Sequence, residues 1–326
     1  MKSTARSCLV ALLFVLAALP ARPDEAPPAA PAASAPLLRI ARDQVRTPTV
    51  EHVKLPGAGR FGSDLEMAVQ VFKPEGNGPF PVVLFSHGRA PDAADRAKLA
   101  HPVSANQVRY WLEHGIALVA PIRPGYGITG GPDAELTSTH FDTSGHCSGH
   151  PDFHITANAA VKTVVATLAW LRDQPWADKH HVLLVGQSVG GLTTVAAAAQ
   201  PLPGVIASIN FAGGTGGNPK LSPGRSCEPE QLGAIYAEYG KTTTRPNLWI
   251  YAENDQYWGP DAPVAWHEGF AAGGSASRFV HAPPVADGDG HGLSRHAAAL
   301  WAPYLDDFLA SIGWPGAGQP WQATPP

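Results

Sequence analysis

From Leu37 onward, short β-branched or apolar runs alternate with longer stretches whose apolar residues recur at helical spacing. Leu65 to Phe72 (LEMAVQVF) alternates well enough to predict an early, partly exposed strand. Pro81 to Ser86 (PVVLFS) is a continuous apolar run stopped by His87-Gly88, the pattern of a strand buried on both faces. Ile116 to Ala120 repeats that type, and the Pro/Gly-rich stretch Pro121 to Gly131 ends it. Thr156 to Arg172 carries Ala, Val, Leu and Trp at helical spacing, and a turn over Asp173 to Lys179 separates it from the run His181 to Val185. An Ala-rich helix follows from about Gly190 to Ala199. Val205 to Phe211, Leu248 to Ala252 and Arg278 to Ala282 read as further buried strands, and His296 to Ile312 as an amphipathic helix. Strand and helix in alternation predict an α/β fold with a mostly parallel central sheet flanked by helices.

The N-terminus departs from this pattern. Lys2 and Arg6 precede an apolar run from Cys8 to Leu19, a charged region followed by a hydrophobic one of secretory length. The run falls short of the ~20 residues that span a bilayer. Residues 1–21 therefore read as a signal peptide, with Ala21 before the cut, and no stable membrane insertion is expected after its removal. Residues 22–36, almost entirely Ala and Pro, cannot bury enough surface to offset ordering entropy and read as a linker. Residues 37–326 form the expected catalytic domain. The protein is expected to be exported, periplasmic or secreted, and its mature form keeps only Cys147 and Cys227, an even count that favours a disulfide. A net charge of −4 without Lys/Arg runs argues against nucleic-acid binding.

The chemistry concentrates at Gly186-Gln187-Ser188-Val189-Gly190, a G-x-S-x-G pattern between a strand and a helix. A nucleophile elbow needs a turn so sharp that the serine is strained and its neighbours are glycines. A serine hydroxyl also needs a base within reach and a carboxylate that holds the base in the right tautomer. In this fold the partners follow in the order Ser, acid, His. Glu253-Asn254-Asp255 lies just past a buried strand, and Asp255, further into the loop, is the preferred acid over Glu253 and Asp261. His291, in the Gly-rich stretch Asp287 to Gly292, is the preferred base over His281, inside an apolar run, and His296, at a helix start. The expected oxyanion donors are the backbone N–H of Val189 and that of Arg89, after the Pro81 to Ser86 strand. The Arg89 side chain is either a pocket residue that attracts an anionic substrate group or a solvated surface arginine.

Ser-His-Gly after a strand, Gly-Gln-Ser-Val-Gly-Gly, Glu-Asn-Asp and Asp-Gly-His follow the order of the dienelactone hydrolase branch of the α/β-hydrolase superfamily, which the chain resembles from Leu65 to Ile312. The nucleophile departs from that of true dienelactone hydrolases, which is a cysteine, and brings the chain nearer to the branch's serine esterases. The resemblance implies an α/β-hydrolase fold with a small lid-like insertion and hydrolysis of a small-molecule carboxylic ester through an acyl-serine, without cofactor. A prolyl oligopeptidase-like peptidase is the alternative, although such enzymes usually carry a large propeller for which 326 residues leave no room. A non-catalytic binding protein is a third reading, disfavoured by the complete Ser-His-Asp set. A bond between Cys147 and Cys227 would brace two segments that leave the sheet on the side of this site. The stretch His140, His146, Cys147, His150, Asp152, His154 fits no standard metal spacing, so no metal is expected. Gly213 to Gly217 lacks the Lys-Ser/Thr of a phosphate loop and reads as a flexible exit from a strand.

Overall fold

Eight of the runs bounded by turn residues are strands in the computed structural model, which describes residues 45, 47–136 and 139–314. They are β1 (Thr49–Leu55), β2 (Leu65–Phe72), β3 (Phe80–Ser86), β4 (Ala117–Pro121), β5 (Ala177–Gln187), β6 (Val205–Phe211), β7 (Asn247–Ala252) and β8 (Ser277–Ala282). They form one sheet in the order β1-β2-β4-β3-β5-β6-β7-β8. β1 and β2 pair antiparallel, as do β2 and β4, and every other neighbouring pair is parallel. The chain thus has the expected α/β-hydrolase fold, with a mostly parallel sheet.

The helices are α1 (Ala93–Ala97), α2 (Ala105–Glu113), α3 (Phe153–Leu171), α4 (Val189–Ala198), α5 (Pro229–Gly240), α6 (Asp261–Ala271), α7 (Leu293–His296) and α8 (Ala298–Ser311). They cover both faces, which is why the parallel strands read as unbroken apolar runs. Along β3, Val82 and Leu84 join a core with α3, α4, α5 and α6, whereas Val83 and Phe85 join the opposite core with α2 and α8. In β5, Leu184 faces the first core, and Leu183 and Val185 face the second.

Several details differ from the sequence reading. β2 is exposed only at its start, at Glu66 and partly at Leu65, and is buried from Met67 to Phe72, where Met67, Val69 and Val71 join one core and Phe72 the other. The C-terminal helix is broken at Ala297 (φ −118°, ψ 53°), so His296 ends α7 instead of opening a long helix. The Gly213 to Gly217 segment is packed, with a Cβ on Gly214 meeting the Trp258 ring at 2.9 Å. Residues 1–36, read as signal peptide and linker, lie outside the described residues.

Cys147, between β4 and α3, and Cys227, between β6 and α5, form a disulfide with Cα atoms 5.4 Å apart. Together with Phe141, Ser222 and Arg225, Cys147 lines a small cavity, and neither cysteine lines the cavity that contains Ser188. The bond spans 80 residues, for which the chain-entropy model gives an upper estimate of about 4.5 kcal/mol. Reduction is therefore expected to lower the melting temperature by up to about 10 °C, with KM essentially unchanged. Calorimetry alongside thiol titration checks this, and an unmoved transition after complete reduction would remove the disulfide from the stability of the fold.

Candidate active site

Ser188 stands between β5 and α4 with φ 59° and ψ −126°, a backbone region that costs a non-glycine residue of order 1–3 kcal/mol. Backbone bonds hold it there: its N–H donates to Phe211 O (3.0 Å), and its carbonyl accepts from Leu192 N and Gly214 N (both 3.1 Å). The glycines follow from close approach rather than from dihedral angle. A Cβ on Gly190 would overlap the Ser86 carbonyl oxygen, and one on Gly186 would overlap that of Gly190.

The three candidate acids separate by burial. Asp255 is 1% exposed, whereas Glu253 is exposed and Asp261 sits exposed in the first turn of α6. Asp255 Oδ1 accepts from the backbone N–H groups of Tyr257 (2.8 Å) and Trp258 (3.2 Å), and Oδ2 faces His291 Nδ1 at 3.1 Å. The His291 ring stacks on Tyr257 with centroids 3.9 Å apart and meets Trp258 edge-on at 5.4 Å. Two residues that the sequence reading passed over lock this loop in register. Asp289 Oδ1 accepts from His291 N (2.8 Å) and Gln256 N (2.9 Å), and Asn254 bonds Val285 and Gly288 through its side chain. Both flank the candidate acid and base, so the repeated Asp-Gly and the Glu-Asn-Asp run carried a usable signal. His281 is exposed on β8.

Ser188 and His291 line one cavity of about 690 Å³. Among the described residues the His291 ring accepts or donates a hydrogen bond only at Asp255, so no such bond joins it to Ser188 Oγ; catalytic hydrogen bonds often tighten only when substrate binds. A groove of about 1000 Å³ between β1 and α3 is larger, but none of the candidate residues lines it. The donor chemistry, not the volume, selects the cavity at Ser188.

The loop after β3 lies against the elbow, since a Cβ on Gly88 would come within 3.2 Å of Ser188 Cβ. Val189 is the first residue of α4, where a helix N–H has no partner within the helix. The Arg89 N–H finds no acceptor among the described residues. Its side chain lines the cavity at Ser188, as the pocket alternative has it, but its charge is already engaged: the guanidinium grips Asp133 with two bonds of 2.8 and 2.7 Å and reaches Glu135 at 3.4 Å. Behind the loop, His87 is buried, and burial followed by the charge of Arg123 holds its pKa well below the usual value. Burial likewise pushes the Tyr126 phenol up to about 12, with Arg123 opposing and Glu135 adding to the rise. Among the described residues no group of three His, Cys, Asp or Glu side chains is arranged to hold a metal ion. In the His-rich stretch, Cys147 is in the disulfide, and Asp152 caps α3 by accepting from His154 N at 3.0 Å.

Comparison with known families narrows the setting. The family model of the X-Pro dipeptidyl-peptidase (S15 family) matches residues 62–259, more than half of the chain. The chain belongs to the S15 family. The S15 match takes in Ser188 and Asp255 and ends before His291. Curated proteins yield no significant match. Among solved structures, an esterase from Pyrococcus furiosus is similar at 11% identity and TM-score 0.53, covering 85% of this chain and 95% of its own. A Klebsiella pneumoniae protein assigned as a dienelactone hydrolase is 16% identical with TM-score 0.51, covering 81% and 99%. An acylaminoacyl peptidase from Pyrococcus horikoshii is 15% identical with TM-score 0.54; the match covers 85% of this S15 chain but 43% of the peptidase. At these identities the three structures show the shared α/β-hydrolase fold.

Proposed function

We propose that the chain is an exported serine hydrolase that cleaves carboxylic esters, with Ser188 as nucleophile, His291 as general base and Asp255 as the residue that orients the histidine. The observation that carries this reading is the 3.1 Å contact between Asp255 Oδ2 and His291 Nδ1 at the wall of a cavity that Ser188 also lines. His291 takes the Ser188 proton as Oγ attacks the ester carbonyl, passes it to the leaving alcohol, and then activates the water that releases the acid. The N–H groups of Val189 and Arg89 receive the oxyanion. The substrate is a small ester, and the mechanism uses no cofactor, metal or nucleic acid. A disulfide between Cys147 and Cys227 suits an oxidising compartment, periplasmic or external.

S15 membership favours a second reading, in which the same residues cleave an amide after proline. Turnover of p-nitrophenyl esters of graded chain length, set beside X-Pro p-nitroanilides, separates the two. The expected result is higher kcat/KM on an ester than on any anilide, all of it dependent on Ser188. Preference for an anilide would make the enzyme a peptidase, and turnover of neither would remove the hydrolase assignment.

A further inference from the structure

Beside the candidate elbow lies a buried ion pair that the proposed chemistry does not use directly. Arg123, just past β4, is 1% exposed, and Glu135 is 3% exposed. Arg123 Nε bonds Glu135 Oε1, its Nη2 reaches Glu135 Oε2 at 3.3 Å, and Tyr126 OH donates to the same Oε2 at 3.1 Å. Taking two charges out of water is expensive, and a buried pair is weak evidence of stabilisation. The remaining guanidinium donors point to what the pair holds.

Arg123 Nη1 donates to the His87 carbonyl at 2.5 Å, and Nη2 donates to the Gly88 carbonyl at 3.2 Å. The Gly88 carbonyl is held a second time by His87 Nδ1 at 2.7 Å. His87 Nε2 accepts the backbone N–H of Arg123 at 3.2 Å, which leaves Nδ1 as the protonated, donating nitrogen. Two successive peptide carbonyls are therefore turned toward one buried cation. In a trans peptide the N–H points opposite to the carbonyl. The Gly88 and Arg89 N–H groups must then point away from Arg123, in a loop that lies against Ser188, and the Arg89 N–H has no acceptor among the described residues.

We propose that Arg123 and His87 are positioning residues that clamp the two peptide units on either side of Gly88 and so aim the Arg89 N–H at the oxyanion formed on Ser188. This inference rests on the serine hydrolase reading above. Glu135 and Tyr126 act behind Arg123, fixing the plane of its fork. Lysine cannot replace that fork, since a single ammonium cannot meet both carbonyls and the Glu135 carboxylate in the same plane.

The test compares wild type with Arg123→Lys, His87→Ala and His87→Asn, measuring kcat and KM on a p-nitrophenyl ester, the inhibition constant of phenylboronic acid, and thermal melting. An oxyanion donor acts in the transition state, so kcat of Arg123→Lys and of His87→Ala is expected to fall about 10- to 100-fold with little change in KM. Affinity for the boronic acid, which becomes tetrahedral on the serine, falls in parallel. His87→Asn, whose amide can still donate to the Gly88 carbonyl, recovers much of the His87→Ala loss. A merely structural role would lower the melting temperature and leave kcat, KM and boronic acid affinity near wild type, and that outcome overturns the clamp while the hydrolase reading stands. Wild-type turnover that does not depend on Ser188 overturns both.

Discussion

Ser188→Ala is expected to lower kcat for ester hydrolysis by about 10⁵- to 10⁶-fold, the scale on which removal of a triad nucleophile acts in a serine protease. The size follows from what the hydroxyl does and what it does not do. The elbow is held by backbone bonds from Ser188 to Phe211, Leu192 and Gly214, none of which involves Oγ. Alanine keeps them and meets the same backbone strain as serine, so the variant should melt with wild type. Loss of turnover without loss of stability, read by burst kinetics and calorimetry on the same preparation, separates chemistry from folding. Retention of even a few per cent of wild-type kcat would move the nucleophile elsewhere.

Asp255→Asn is expected to cost about 10⁴-fold in kcat, by analogy with the same change in a protease triad. The Asp255 carboxylate accepts three hydrogen bonds, two from backbone N–H groups and one at His291 Nδ1. An Asn side chain has one acceptor and one donor end. With its oxygen on the Tyr257 and Trp258 amides, its NH₂ faces Nδ1 and moves the imidazole proton to Nε2, the nitrogen that must take the Ser188 proton. Reversed, it leaves backbone donors buried without partners. Glu253→Gln, at an exposed position, should stay close to wild type. The opposite ranking, measured at saturating substrate, would give the orienting role to Glu253.

Elements that carry their own pattern were legible in the sequence. β6 spans the same residues, Val205–Phe211, in both readings, because a β-branched run buried on two faces needs no tertiary information. β1 (TVEHVKL) escaped because it is an edge strand, exposed at four of its first five positions in whole or in part, and its polar residues hide the run. α5 and α6 carry Gly233, Gly240, Pro263 and Gly269, which weaken the helical signal that packing restores. At the site, the residues in local motifs were legible: Ser188 by its elbow, Asp255 and His291 by chain order. Arg123, Glu135 and His87 were not read together, because they meet only where the loops after β3 and β4 converge. Nothing in a Pro/Gly-rich run tells whether an arginine goes to solvent or turns inward. The same limit applied to Arg89, whose two sequence readings both omitted Asp133, 44 residues away.

The most direct measurement is the site of covalent labelling by a fluorophosphonate, located by peptide mass spectrometry on wild type, Ser188→Ala and His291→Ala. The expected result is a single adduct on the peptide containing Ser188, absent from Ser188→Ala and formed far more slowly in His291→Ala, since the base must activate the hydroxyl. An adduct on another serine, or rapid labelling at Ser188 without His291, would show that these residues do not act together as nucleophile and base.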